Sequence, residues 1–171
     1  MIDLKKSSRS IEAIYLHCTA TKPRRYVSVA TIRDWHVNGR GWSDIGYHYI
    51  VQPDGAVELG RDVDIAGAHV KGDNLNTIGV CMVGEWDSIV PDPVHPQERA
   101  TGELLARLCK LYDINPLTYN LLLHREAHEP GHRAPNPYKS CPGMNITGRL
   151  MRIYVNSFYE RIDGDKIDYG Y

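Results

Sequence analysis

Two of the eight histidines in this chain, His17 and His124, end or directly follow short apolar runs, IEAIYLHC over residues 11–18 and Leu121–Leu123. Such runs read as buried strands, and open α/β sheets form their ligand crevice beyond the strand ends. Cys141 stands in KSCPG, where Pro142 and Gly143 turn the backbone. Two imidazoles and one thiolate are soft donors suited to tetrahedral zinc, and three protein ligands leave a fourth position open, as in a catalytic site. The separations match no local zinc motif, however, and histidines at strand ends also serve as hydrogen-bonded structural residues. The residues alone leave both readings open.

The other chemistry-bearing side chains read more plainly. His36 beside Trp35 suits packing or a rim contact. His48, one residue from Tyr47 on a strand, faces the opposite side from it. Cys18 faces away from His17, and Cys81 and Cys109 suit a core. Trp42 and Trp86 fit sugar stacking or packing equally. Lys22, Arg24 and Arg25 form a basic run of the kind found on solvated loops. Glu126 could act as an extra acid or base, or as a partner of a ligating histidine.

The elements that must position these residues follow from pattern. Ser28 suits a helix N-cap, with Val27 and Ile32 as a staple and Val29, Ile32, Trp35 and His36 on one face, stopping near Gly39 and Gly41. GYHYIVQ and AVELG flank Pro53-Asp54-Gly55 and predict a hairpin. Residues 77–83, TIGVCMV, predict a central strand. Over 98–113, Ala100, Leu104, Leu108, Leu111 and Tyr112 fall on one helical face. Residues 129–142 read as a proline-rich loop. Ile146, Leu150, Ile153, Tyr154 and Phe158 predict a last amphipathic helix. The interleaving predicts an α/β class, with a central mixed sheet flanked by about three helices. With 171 residues and no internal repeat, the chain reads as one domain over 1–160 with a charged, loosely ordered tail over 161–171.

Composition excludes several classes. Twenty Lys and Arg against 21 Asp and Glu give a net charge of −1, without the footprint of a nucleic-acid binder. No apolar run reaches membrane-spanning length, so no membrane insertion is expected. MIDLKKSSRS lacks the apolar segment of a secretory signal, so synthesis in a cytoplasm is expected. The four scattered cysteines then suit reduced thiols or a ligand rather than disulfides.

The blocks IYLHCTATK, WHVNGRGWSDIGYHYIVQPDGAVELGR, AGAHVKG, NTIGVCMVG, HRE and KSCPG, in that order across residues 11–150, resemble the type 2 N-acetylmuramoyl-L-alanine amidases. That family includes the small amidase lysozymes of tailed phages and is similar in fold to the peptidoglycan recognition proteins. The resemblance implies one catalytic Zn2+ held by His17, His124 and Cys141, with Tyr47 and Lys139 as catalytic helpers. It implies His69 as a residue of the substrate groove, with Asn76 as a second candidate there.

The implied reaction is hydrolysis of the amide between N-acetylmuramic acid and L-alanine in peptidoglycan, by a monomer. An endolysin made in the host cytoplasm and released through a holin to the periplasm is the expected source. A cytoplasmic muropeptide-recycling amidase and a secreted toxin are alternatives. A peptidoglycan-binding or regulatory protein is a further alternative, since small phage amidases of this type also inhibit a phage RNA polymerase. The loop between His124 and Cys141 is longer than in the compact phage enzymes and carries His128 and His132. His132, in its own GHR, competes with His124 for the metal; His124 is preferred because Leu121–Leu123 supplies the strand that the family's ligand follows.

Overall fold

The computed structural model describes residues 2–127, 139–163, 166 and 167. A five-stranded sheet in the order β3-β2-β4-β1-β5 organises the chain: β1 Ala13–Cys18, β2 Tyr49–Val51, β3 Val57–Leu59, β4 Thr77–Met82 and β5 Leu121–Leu123. Four strands run parallel, and β3 returns antiparallel beside β2 across the expected hairpin. β1 and β4 are buried at every position, as strands covered on both faces must be. Alternation divides the faces. Ile14, Leu16, Cys18, Ile78, Val80 and Met82 enter the main core, while Tyr15 and His17 turn to the other side.

Helix α1, Val29–Arg40, is capped by Ser28, whose hydroxyl accepts from Thr31 N, and ends on Gly41 at φ 70°, a left-handed conformation that glycine adopts at little cost. Ile32 and His36 are buried there, but Trp35 is 41% exposed, off the buried face rather than on it. Helix α2, Pro96–Leu111, begins two residues before the expected start, with His95 as N-cap and Pro96 in the first turn. Its buried face carries Thr101, Leu104, Leu105, Leu108 and Cys109, whereas Ala100, Leu111 and Tyr112 are half-buried. The stripe is rotated because α2 packs on both the sheet and α3.

Helix α3, Gly148–Tyr159, departs further from expectation. Leu150 and Ile153 are exposed, and Met151, Arg152 and Val155 are buried. Tyr154 and Phe158 cross α2 at Gly102, where a Cβ would stand 2.7 Å from the Phe158 ring. That close approach sets the rotation of α3 and leaves Leu150 and Ile153 on the wall of an apolar groove of about 470 Å³. In the tail, expected to be loosely ordered, β6 Ile162–Asp163 pairs with β7 Lys166–Ile167, and Ile162 is buried.

Candidate metal centre and active site

Parallel register brings the two histidines together. Leu16 of β1 pairs with Leu123 of β5, so the next residues, His17 and His124, lie side by side with ring centroids 4.5 Å apart. Cys141 joins them from a loop, and one ligating atom from each of the three residues lies within 4.8 Å of the others. His17 is fully buried, and its Nδ1 has no hydrogen-bond partner among the described residues. A buried ring nitrogen left without a partner is costly unless it has another role. The orphaned nitrogen, a second imidazole and a thiol together form a donor set that could hold a metal ion. Burial, and then the neighbouring His69, His124 and Lys139, lowers the His17 pKa well below its ordinary value, so the ring is neutral, the form that ligates.

Arg125, to which sequence reasoning gave no role, holds the two halves of the site together. Its backbone N–H donates to Cys141 O at 3.0 Å, and its guanidinium donates to Ser140 O at 3.0 Å, Gly143 O at 2.6 Å and Ile146 O. The turn that carries His124 therefore grips the loop that carries Cys141. Glu126 has a structural part: it accepts from Leu123 N at 2.8 Å and pairs with Arg152 at 3.0 Å. Cys18 turns its side chain to the core, as expected, yet touches the site: its N–H donates to Cys141 Sγ at 3.4 Å, and the two sulfurs are 4.0 Å apart.

Tyr47 stands two residues before β2, its ring 5.2 Å from that of His17. Arg61 fixes the segment before Tyr47 by donating to the carbonyls of Asp44 and Ile45, and ties it to Ala66 O. Burial, reinforced by the Cys81, Cys141 and Cys18 thiols, pushes the Tyr47 pKa well above its usual value and keeps its hydroxyl protonated. Lys139 is close enough for its charge to depress the His17 pKa. His69 joins the cluster, with Nδ1 3.0 Å from His17 Nε2. Asn76 does not: it pairs with the start of β1 through Glu12, five residues and ~16 Å of strand from His17. There it lines a polar cavity of about 660 Å³ with Tyr15, Asp73, Asn120 and Glu126.

The remaining side chains sort themselves by partner. His36 Nδ1 accepts from Gly46 N, and His48 Nδ1 accepts from Gly79 N. Trp86 is buried, its Nε1–H donating to Glu98, so it has no face for sugar stacking. Arg24, read as part of a solvated run, instead makes a two-pronged pair with the buried Glu98 at 2.6 and 2.7 Å. Its partner lies 74 residues away, beyond the reach of local charge pattern. His128 and His132 lie outside the described residues.

Comparison with known proteins agrees with this architecture. The N-acetylmuramoyl-L-alanine amidase family profile matches residues 7–144. The endolysin of Escherichia phage T7 is 52% identical over 82 residues, 48% of this chain and 54% of that protein. The endolysin of Enterobacteria phage K11 is 51% identical over 142 residues, 80% and 87% of the two chains. Against its first curated relatives, the match spans about half of their length. Among solved structures, the Ph2119 endolysin from a Thermus scotoductus bacteriophage superposes with a TM-score of 0.69 at 26% identity, covering 88% of each chain. A profile match across most of the chain and a relative this similar over four-fifths of it make this chain a member of the N-acetylmuramoyl-L-alanine amidase family.

Proposed function

We propose that this protein is a zinc-dependent N-acetylmuramoyl-L-alanine amidase that cleaves the amide between N-acetylmuramic acid and the L-alanine of the peptidoglycan stem, acting as a phage endolysin. The observation that carries this reading is the His17, His124 and Cys141 group, with a buried and unpartnered His17 Nδ1, in a chain of the amidase family. When bound by these residues, zinc supplies a Lewis acid and lowers the pKa of water toward about 7.

The chain's own residues do the rest. Tyr47 keeps its proton at neutral pH, so its hydroxyl can orient the attacking water or deliver a proton toward the leaving amine. The Lys139 ammonium stabilises negative charge developing on the scissile carbonyl oxygen. The polar cavity that Asn76, Asp73 and Asn120 line, at the start of β1, is the candidate place for the far end of the stem peptide. As an endolysin the protein reaches its substrate by holin-mediated release to the periplasm; no helix among the described residues is long and apolar enough to cross a membrane.

The test joins bond identity to metal. Gram-negative sacculi are incubated with the protein, with chelator, and with chelator followed by zinc, and the products are read by mass spectrometry. Free stem peptides with an L-alanine N-terminus, lost with chelator and restored by zinc, are expected. Sacculi that bind the protein and stay intact overturn the reading in favour of a recognition module.

A further inference from the structure

We propose that His69 is a positioning residue that sets the tautomer of His17, holding the proton on Nε2 so that Nδ1 is the nitrogen available to a metal. The inference deepens the metal reading above and rests on it, but its geometric basis is separate. It begins at the far end of a chain of hydrogen bonds. The Thr77 hydroxyl donates its single proton to Asp73 O at 2.6 Å. Thr77 Oγ1 therefore presents lone pairs to His69 Nε2, 3.4 Å away, and that nitrogen carries the hydrogen. A neutral imidazole has one N–H, so His69 Nδ1 is an acceptor. Its neighbour at 3.0 Å is His17 Nε2, which must then donate. The His17 Nδ1 lone pair is left, and it is this atom that lacks a partner among the described residues.

The opposite arrangement turns two lone pairs toward each other between His69 and Thr77, or forces Thr77 to abandon the Asp73 carbonyl. Other contacts keep the His69 ring from escaping that choice. A Cβ at Gly67 would stand 2.5 Å from its Cδ2, and one at Gly79 2.7 Å from the ring, so the ring fills a slot only glycines leave open. Its backbone N–H is held by Asn74 Oδ1 at 2.8 Å. His48, whose ring packs edge-on at 5.7 Å, offers no competing bond: its Nδ1 accepts from Gly79 N at 2.9 Å and its Nε2 donates to Ile65 O at 3.1 Å. With only 7% of its surface exposed, His69 is better placed to orient His17 than to grip a polymer. Partners of this kind fix a ligating imidazole and raise its basicity, and their loss costs about 10–100-fold in metal affinity.

The test has two arms. In chelator-stripped protein, long-range proton–nitrogen NMR of the histidine rings is expected to find His17 as the Nε2–H tautomer in the wild type and as a mixture in His69→Ala. Thr77→Val, which removes the distal acceptor, is expected to shift His17 in the same direction and serves if His69→Ala does not fold. In zinc competition against a chelator, His69→Ala is expected to weaken binding about 10–100-fold, and His69→Asn, whose Oδ1 can accept, to recover part of it. A wild-type His17 carrying its proton on Nδ1, or a folded His69→Ala protein that binds zinc like the wild type, overturns the proposal. If the wild type binds no zinc, the metal reading fails, while the NMR arm still decides the tautomer.

Discussion

Replacing Arg125 by alanine tests whether the His124 turn holds Cys141 in place. The guanidinium donates to three carbonyls of the Cys141 loop, those of Ser140, Gly143 and Ile146. A hydrogen bond from a charged donor contributes about 1.5–3 kcal/mol when its loss leaves a buried acceptor unmet. Arg125 is half-buried, and the freed carbonyls can turn partly to water, so the summed cost is discounted to about 2–3 kcal/mol. The Arg125 N–H bond to Cys141 O survives the substitution, so the loop loosens rather than detaches. If the loss falls on the assembled His17, His124 and Cys141 geometry, 2–3 kcal/mol corresponds to roughly 30–150-fold weaker metal binding. Zinc competition against a chelator measures this directly, and thermal melting of the stripped protein separates loop loosening from global unfolding. A folded Arg125→Ala protein with zinc affinity within about twofold of wild type refutes the reasoning, because Cys141 would then be held by other contacts.

Three further outcomes are expected. Tyr47→Phe keeps zinc but loses most turnover on sacculi, as measured by release of stem peptides; a wild-type rate would remove Tyr47 from the chemistry. Arg24→Ala leaves the buried Glu98 carboxylate with Trp86 Nε1–H, since His95 Nδ1 accepts from Gln97 N, and is expected to cost about 3 kcal/mol in urea denaturation, with a shift under 1 kcal/mol arguing against a buried pair. Burial, with the Arg9 and Arg61 charges adding to it, lowers the His48 pKa from 6.5 to about 4. The unfolded chain then binds a proton that the folded chain refuses. Stability is full above about pH 6.5 and falls by up to about 3 kcal/mol as pH drops toward 4, so melting temperatures that stay flat from pH 7 to 4.5 would contradict it.

The readable parts of this protein share a short physical range. The Ser28 cap, the Pro53-Asp54-Gly55 hairpin, the central strand at 77–82 and the strand before His124 each depend on residues within a few positions, and each stands where pattern puts it. The residues of the candidate metal centre were named through resemblance of ordered blocks, and the fold brings them together. Their spacing alone was silent, because His17 and His124 become neighbours only when β1 and β5 pair in register, and Cys141 joins them only when Arg125 grips its loop.

Helix faces were the weaker reading. Apolar periodicity finds a stripe on α3, but Leu150 and Ile153 stay outside, since the contact of Tyr154 and Phe158 with Gly102 sets the helix rotation. Arg24 reads as a solvated cation, Glu126 as an extra acid or base or a histidine's partner, and Cys18 as a thiol facing away from His17, and none of these readings reaches the distant partners that the fold supplies. Caps, turns and strand patterns arise from local backbone and side-chain preferences, which the order of residues carries directly. Which face is buried, which cation meets which carboxylate and which nitrogen of His17 is free arise from contacts up to 123 residues apart, and those exist only once the chain is folded.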